Sequence, residues 1–225
     1  MRRAAASGAP HLPTTRNIYA ALRRDIVTLA LLPGTKLSEN ELSLRFGTSR
    51  APVREALIRL GEDGLIDVQP QRGSFVGRLS LPKIERARFV REALEIAVVR
   101  RAAELGLPAA DQRRAEALLR AQGDAGLEAE AFMDLDDGFH SGFADAIGLS
   151  GVWATIEREK TQFDRIRFLS LPQATPIDVL IAQHRAILDA VVDRDPDLAE
   201  RAIRNHMAEV LKIVDSLQPR YPELF

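Results

Sequence analysis

The sequence predicts a mainly α-helical protein in two parts: a small N-terminal unit carrying one β-hairpin, and a larger C-terminal bundle built of helices alone. Three observations carry that prediction. Apolar residues recur at helical spacing along most of the chain, beginning with Ile18, Leu22, Ile26 and Leu29. Convincing strand signals are confined to two short alternating stretches within residues 65–77. Charge is also divided, with 12 Lys+Arg against 7 Asp+Glu in residues 1–80 and 19 against 25 in residues 81–225. A basic part joined to an acidic one is expected when only the first meets a polyanion.

A chain of 225 residues suffices for one large or two modest domains. With 46% hydrophobic and 28% charged residues it is expected to fold and to be soluble. No apolar run approaches the roughly 18 residues of a membrane span. Met1–Pro10 has basic residues but no hydrophobic core of signal-peptide length. Residues 1–15 therefore read as a flexible tail, and the expected location is the cytoplasm, with no membrane partner. The absence of cysteine excludes disulfides, thiolate metal sites and thiol nucleophiles.

The elements follow in order. Asn17–Leu31 reads as a helix that Thr14 or Thr15 can cap, and Leu32-Pro33-Gly34-Thr35 breaks it. Ser38–Phe46 fits a second, short helix, with Ser38 as cap and Glu41 as its return partner in a capping box. Gly47 ends it. Thr48 or Ser49 caps a third helix running to about Asp63, with Pro52 in its first turn and Val53, Ala56, Leu57 and Leu60 on one face. Gly64 stops that helix. Leu65–Gln69 and Gly73–Gly77 alternate as strands, and the turn Pro70-Gln71-Arg72 joins them. This order makes residues 16–78 a winged helix-turn-helix with a small β-hairpin wing. Residues 79–84, including Pro82, read as a linker, and 85–218 as an all-α bundle. Six helical segments are expected there: Lys83–Leu105, Ala109–Gln122, Leu127–Ile147, Val152–Leu169, Ile177–Arg194 and Asp197–Leu217.

In a helix-turn-helix, the first residues of the second helix face base edges in the major groove. Here those residues include Arg50 and Arg54, four apart and opposite the apolar face. Their forked donors suit guanine O6 and N7, or phosphate. Ser49 can offer its hydroxyl and backbone N–H to a phosphate at the helix start. Asn40 and Arg45 are candidates for flanking contacts, and Arg72-Gly73 can bring a cation and unobstructed backbone to the neighbouring groove. Each of these taken singly is an ordinary surface group; the order of elements makes double-stranded DNA the expected partner.

Three of the four histidines, His140, His184 and His206, fall in the second part. Asp136 precedes His140 by four residues, so the two share one helix face. His184 and His206 lie on two further helices. One carboxylate and three imidazoles meeting in a bundle make a site for a divalent first-row metal, with coordination positions left open. Zn²⁺ is the first expectation, with Ni²⁺, Mn²⁺ and Fe²⁺ as alternatives. Asp137 is the rival carboxylate. A divalent ion beside one aspartate retains positive charge, so a small carboxylate or hydroxy acid is the natural guest. Arg91 either clamps that guest bidentately or pairs with Glu95.

Two stretches carry a resemblance. Leu32-Pro33-Gly34-Thr35-Lys36-Leu37-Ser38-Glu39-Asn40-Glu41-Leu42, Ser49-Arg50-Ala51-Pro52-Val53-Arg54-Glu55-Ala56-Leu57, Gly64-Leu65-Ile66 and Arg72-Gly73-Ser74-Phe75-Val76 resemble the GntR family of bacterial repressors. The resemblance implies DNA contacts from Ser49, Arg50, Arg54 and Gly73. Thr48 stands where the family usually has valine. The second half, through Phe89–Glu95, Asp136–His140, His184–Ala190, Asp195–Ala199 and His206, resembles the FCD effector domain of the FadR-type branch. In its metal-binding members the ligands correspond to Asp136, His140, His184 and His206, a set that the branch's acyl-CoA-binding namesake lacks. Leu149-Ser150 departs from the Asn-Pro common there.

Together these readings describe a homodimeric, ligand-responsive transcription factor, with repression as the expected sign. Its operator would be a short palindrome with half-sites about one helical turn or less apart. Three readings compete. A FadR-like regulator taking a bulkier acyl ligand without metal would carry an apolar tunnel. A small-molecule sensor would carry a vestigial DNA domain. A metal-dependent hydrolase or oxygenase would need a spare general base or an HExxH pair, neither of which is evident, so no enzyme is expected.

Overall fold

The computed structural model describes residues 14–124, 126–171, 176–209 and 217–225. Nearly all of the expected tail, Pro172, and residues 210–216 of the last expected helix lie outside them.

The N-terminal unit opens with α1 (Thr15–Val27), whose start is fixed by Thr14 Oγ1 accepting from the Asn17 amide at 3.3 Å. The helix stops four residues short of the expected end, and Leu29 adopts a left-handed φ of 59° just beyond it. Strand β1 (Lys36–Leu37) leads into α2 (Glu39–Arg45), where Ser38 Oγ accepts from the Glu41 amide at 3.4 Å. That bond supplies the cap half of the expected box. Helix α3 (Arg50–Glu62) follows, buried along Val53, Ala56, Leu57 and Leu60 as its periodicity requires.

The wing consists of β2 (Ile66–Gln69) and β3 (Gly73–Val76), paired antiparallel with Gln69 opposite Gly73. The expected hairpin gains a third strand: β1 pairs with β3, giving the order β1-β3-β2. Two residues beside a Pro-Gly break carry too little alternation to read as a strand; the partner's free edge creates it. Ile18, Leu22 and Ile26 from α1 interlock with Val53, Leu57, Leu60, Leu65 and Val76 as one apolar core.

Between residues 80 and 209 the described residues form seven α-helices, and residues 217–220 and the 3-10 turn Pro222–Leu224 add further helical structure near the C-terminus. The seven are α4 (Leu81–Leu105), α5 (Ala109–Gln122), α6 (Ala129–Ala146), α7 (Ser150–Glu159), α8 (Thr161–Ser170), α9 (Ile177–Val192) and α10 (Pro196–Glu209). Residues 81–84, expected in a linker, form the first turn of α4, with Pro82 tolerated there because a first-turn amide needs no helical acceptor. The expected helix Val152–Leu169 is two helices hinged at Lys160 (ψ 0°), whose buried ammonium is held by Asp137 and Asp164.

The bundle core joins Val99 and Ala102 of α4, Phe139 and Phe143 of α6, Ile187 and Val191 of α9, and Ile203 and Met207 of α10. A smaller apolar cluster lies where the two parts meet, with Leu79 and Ile84 packed on Phe163 and Ile166 of α8 and on Leu217 and Leu224 near the C-terminus. Helix α8 is thus wedged between the two units, buried even at Gln162, Asp164, Arg165 and Arg167.

Candidate metal centre and nucleic-acid interface

Helix α6 presents Asp136 and His140 one turn apart toward the bundle axis, α9 presents His184 and α10 presents His206. All four side chains are buried, and one ligand atom from each lies within 4.8 Å of the others. His184 Nε2 stands 3.2 Å from Asp136 Oδ1 and 3.4 Å from His206 Nε2. His140 Nε2 lies 3.9 Å from Asp136 Oδ2.

The outward ring nitrogens explain this orientation. His184 Nδ1 meets Gln122 Oε1 at 2.8 Å, and His206 Nδ1 meets Gln183 Oε1 at 3.0 Å. His140 Nδ1 faces Glu95 Oε2 at 2.5 Å, a charge contact away from hydrogen-bond alignment. In the neutral tautomer in which each Nδ1 donates to the oxygen it faces, each Nε2 is left as a bare acceptor. Bare nitrogens turned toward one another and toward a carboxylate repel unless a cation or proton stands between them. His140 Nε2, buried without a hydrogen-bond partner, makes the same point.

The electrostatics agree. Burial pushes His206 well below the usual histidine range, helped by the neighbouring imidazoles, and burial also lowers His184. Neutral imidazole is the form that coordinates a metal. Burial by itself would raise the Asp136 carboxyl; Arg167 and then His140 outweigh it and hold the group ionised, well below the usual carboxylate range. Burial would raise Glu95 too, but Arg91 and His140 bring it down to about 2. The donor set of three nitrogens and one ionised carboxylate, each backed by an outer partner, is compatible with a divalent first-row metal.

Asp137 is turned away from the cluster: it pairs with Lys160, and with Arg167 Nη1 at 3.0 Å. Arg91 does bond Glu95, as its four-residue spacing allowed. Its Nη2 remains buried without a hydrogen-bond partner, 3.9 Å from Asp136 Oδ2. Beside the cluster lies a cavity of about 30 Å³ lined by Arg91, Asp136, Arg167, Ser170 and His206, among others. Such a volume admits little more than a water or two. No long apolar tunnel of the kind an acyl chain would need is evident among the described residues at this site.

Sequence reasoning missed Arg167, whose guanidinium holds Asp136 Oδ2 so that Oδ1 faces the histidines. It also missed Gln122 and Gln183, and it weighed Glu95 only as a partner of Arg91. Spacing held no signal for Arg167 or Gln122, which come from other helices; Gln183 adjoins His184 and gave a faint one.

All seven residues expected at the nucleic-acid interface are exposed. Arg54 projects from α3 and bonds Glu39 through Nε and Nη2, both at 2.9 Å. Arg45 pairs with Asp25 at 2.6 Å and lies over the Phe46 ring. Asn40 faces solvent on α2, and Arg50 faces solvent at the start of α3. Ser49 precedes Arg50, and its hydroxyl makes no cap bond. In the wing, Gly73 has φ 112°, a left-handed conformation, and a Cβ there would sit 3.3 Å from Lys36 Cε. Arg72 stands beside it, exposed.

A winged helix-turn-helix joined to an all-α bundle defines a class of DNA-binding regulators. Residues 14–76 match the bacterial regulatory proteins of the gntR family, and residues 87–209 match the FCD domain. The chain belongs to the GntR family and carries the FCD domain, as the resemblance implied. It is 39% identical over 218 residues to the HTH-type transcriptional repressor RspR of Escherichia coli K12, covering 96% of this chain and 95% of the relative. It is 42% identical over 211 residues to an HTH-type transcriptional regulator in an unstable DNA locus of Streptomyces ambofaciens, covering 93% and 89%. Its fold matches that of E. coli McbR/YncC with a TM-score of 0.75 at 20% identity, covering 92% and 99%. The chain is therefore a DNA-binding transcriptional regulator and not an enzyme. Among the described residues no helix is long and apolar enough to cross a membrane.

Proposed function

We propose that this regulator's affinity for its operator is set by a small carboxylate or hydroxy acid that binds at a divalent metal in the bundle. Asp136 Oδ1 and the Nε2 atoms of His140, His184 and His206 would hold the ion, Zn²⁺ first, with Ni²⁺, Mn²⁺ or Fe²⁺ as alternatives. A bound metal would supply positive charge and open coordination positions for an effector oxygen. The observation that carries this reading is the common orientation of the three imidazoles, each Nδ1 turned to an oxygen and each Nε2 to the shared centre.

Arg91 is the effector clamp in this reading: its unpartnered Nη2 borders the cavity, ready for a carboxylate oxygen. A cavity this small has no room for an acyl thioester, and a compact acid would need only a modest widening of it. On the DNA side, Arg50 and Arg54 would read base edges or phosphate. Ser49, Asn40 and Arg45 would meet the backbone, and Arg72 and Gly73 the adjacent groove. A homodimer on a palindromic operator, acting as a repressor, fits a short single recognition helix, which needs a second copy to specify enough sequence.

The direct test is elemental analysis of the purified chain after Zn²⁺ loading and dialysis. Wild type should retain about one equivalent of metal, as a single cluster of four ligand residues requires. His184→Ala should retain little while circular dichroism stays helical. Equal metal in the two proteins would refute the site.

A further inference from the structure

A continuous chain of ion pairs runs from the histidine cluster into the DNA-binding unit. Arg167 of α8 bonds Asp136 Oδ2 through Nη2 and reaches Asp164 Oδ1 through Nη1 at 3.1 Å. The other oxygen of Asp164 accepts from Arg23 Nη2, on α1, at 3.1 Å. Lys160 and Asp137 complete the group: the Lys160 ammonium sits 3.0 Å from Asp164 Oδ2 and also bonds Asp137, which in turn accepts from Arg167. Three cations thus balance three carboxylates. The Asp136, Asp164 and Lys160 side chains are at most 4% exposed, and Arg23 is 21% exposed. Burial keeps such pairs from being screened by solvent, so a charge introduced at one end is felt along the line.

We infer that Asp136–Arg167–Asp164–Arg23 is the coupling element of this regulator, transmitting the charge state of the cluster to the docking of α1. The inference rests on the metal reading above. Positive charge placed against Asp136 Oδ1 draws on that carboxylate and repels Arg167. Arg167 then shares more of Asp164, and Asp164 holds Arg23 less. An anion in the neighbouring cavity, which Arg167 also lines, works with the opposite sign. The two domains are further tied by Gln162 Nε2 donating to Gly64 O at 2.9 Å and Arg165 Nη1 to Gly77 O at 2.9 Å. Arg165 is fully buried, and its Nε and Nη2 have no hydrogen-bond partners. An uncompensated cation at the junction keeps this docking shallow, which suits an element with two arrangements.

Hydrogen–deuterium exchange on the full chain, with Zn²⁺ as the probe, tests this. Zinc binding is read in parallel by calorimetric titration. In wild type, Zn²⁺ should speed exchange of the α1 amides about fivefold or more, leaving α2 unchanged. Arg23→Gln should bind Zn²⁺ more tightly than wild type, by up to about fivefold because the coupling is reciprocal, yet lose the α1 response, and Arg23→Lys should restore part of it. Wild type that binds zinc without an α1 response, or an Arg23→Gln protein that keeps the response, overturns the relay and leaves the metal reading intact. Wild type that fails to bind zinc overturns both. Should Arg23→Gln not fold, the wild-type map decides alone, with equal changes in α1 and α2 counting against the relay.

Discussion

His184 Nδ1 faces the Gln122 amide oxygen, and its Nε2 faces Asp136. The glutamine holds the ring orientation and, by accepting from Nδ1–H, favours the tautomer with a free Nε2, so it would act on a metal through the histidine. Gln122 is 1% exposed at the end of α5, where nothing except the imidazole calls for an amide oxygen. Gln122→Leu keeps the volume but leaves Nδ1–H unpaired. The expected outcome is a loss of Zn²⁺ affinity of roughly 10–100-fold, with thermal stability of the metal-free protein changed far less. Competition against a chromogenic chelator measures it. Asp136 was legible at this scale, because its four-residue offset from His140 sets a shared face. Its preference over Asp137 was not, since that depends on Lys160 and Arg167 from another part of the chain capturing Asp137.

At the scale of elements, α2 and α3 are held together by the forked Arg54–Glu39 pair. Arg54 must leave Glu39 to meet a phosphate or a base. The pair is exposed, so it contributes little to stability. Glu39 is held below its usual range by its hydrogen bond to Arg54, hence it is ionised at neutral pH, and in the proposed reading it would compete with DNA phosphates for Arg54. On random-sequence duplex DNA, Arg54→Ala should bind more weakly, with the slope of log affinity against log salt reduced by about one. Glu39→Gln should instead bind more tightly. Fluorescence anisotropy across a salt series reads both, and identical slopes for wild type and Arg54→Ala would remove Arg54 from the interface. The helices of this unit were readable because their caps and apolar periods are local, as at Thr14 and Ser38. Strand β1 was not, because it exists only as the partner of β3. The break at Lys160 was hidden for a similar reason: α8 is buried around its whole circumference, so its residues carry no amphipathic period.

For the whole molecule, the apolar cluster of Leu79, Ile84, Phe163, Ile166 and Leu224 decides whether the two units behave as one body. Phe163 is 1% exposed at its centre, with the Arg91 guanidinium 5.3 Å from its ring. Phe163→Ala should destabilise the protein by about 3–5 kcal/mol. Calorimetry should then resolve two transitions where wild type shows one, since removing the shared core leaves each unit its own. A single transition in the variant would show that other contacts carry the coupling.

The sequence by itself determined the two-part helical plan, the recognition helix with its exposed arginines, and the identity of the four clustered side chains. Each of these is written in local spacing: caps, apolar periods, and a carboxylate one turn from an imidazole. The tertiary structure alone decided which oxygen of Asp136 faces the histidines, which side chains hold the imidazole tautomers, and how α8 links the cluster to α1. Those properties depend on contacts between residues up to 141 positions apart, as Arg23 and Asp164 are. A buried polar group is defined by the partner that compensates its lost hydration, and chain spacing does not specify that partner.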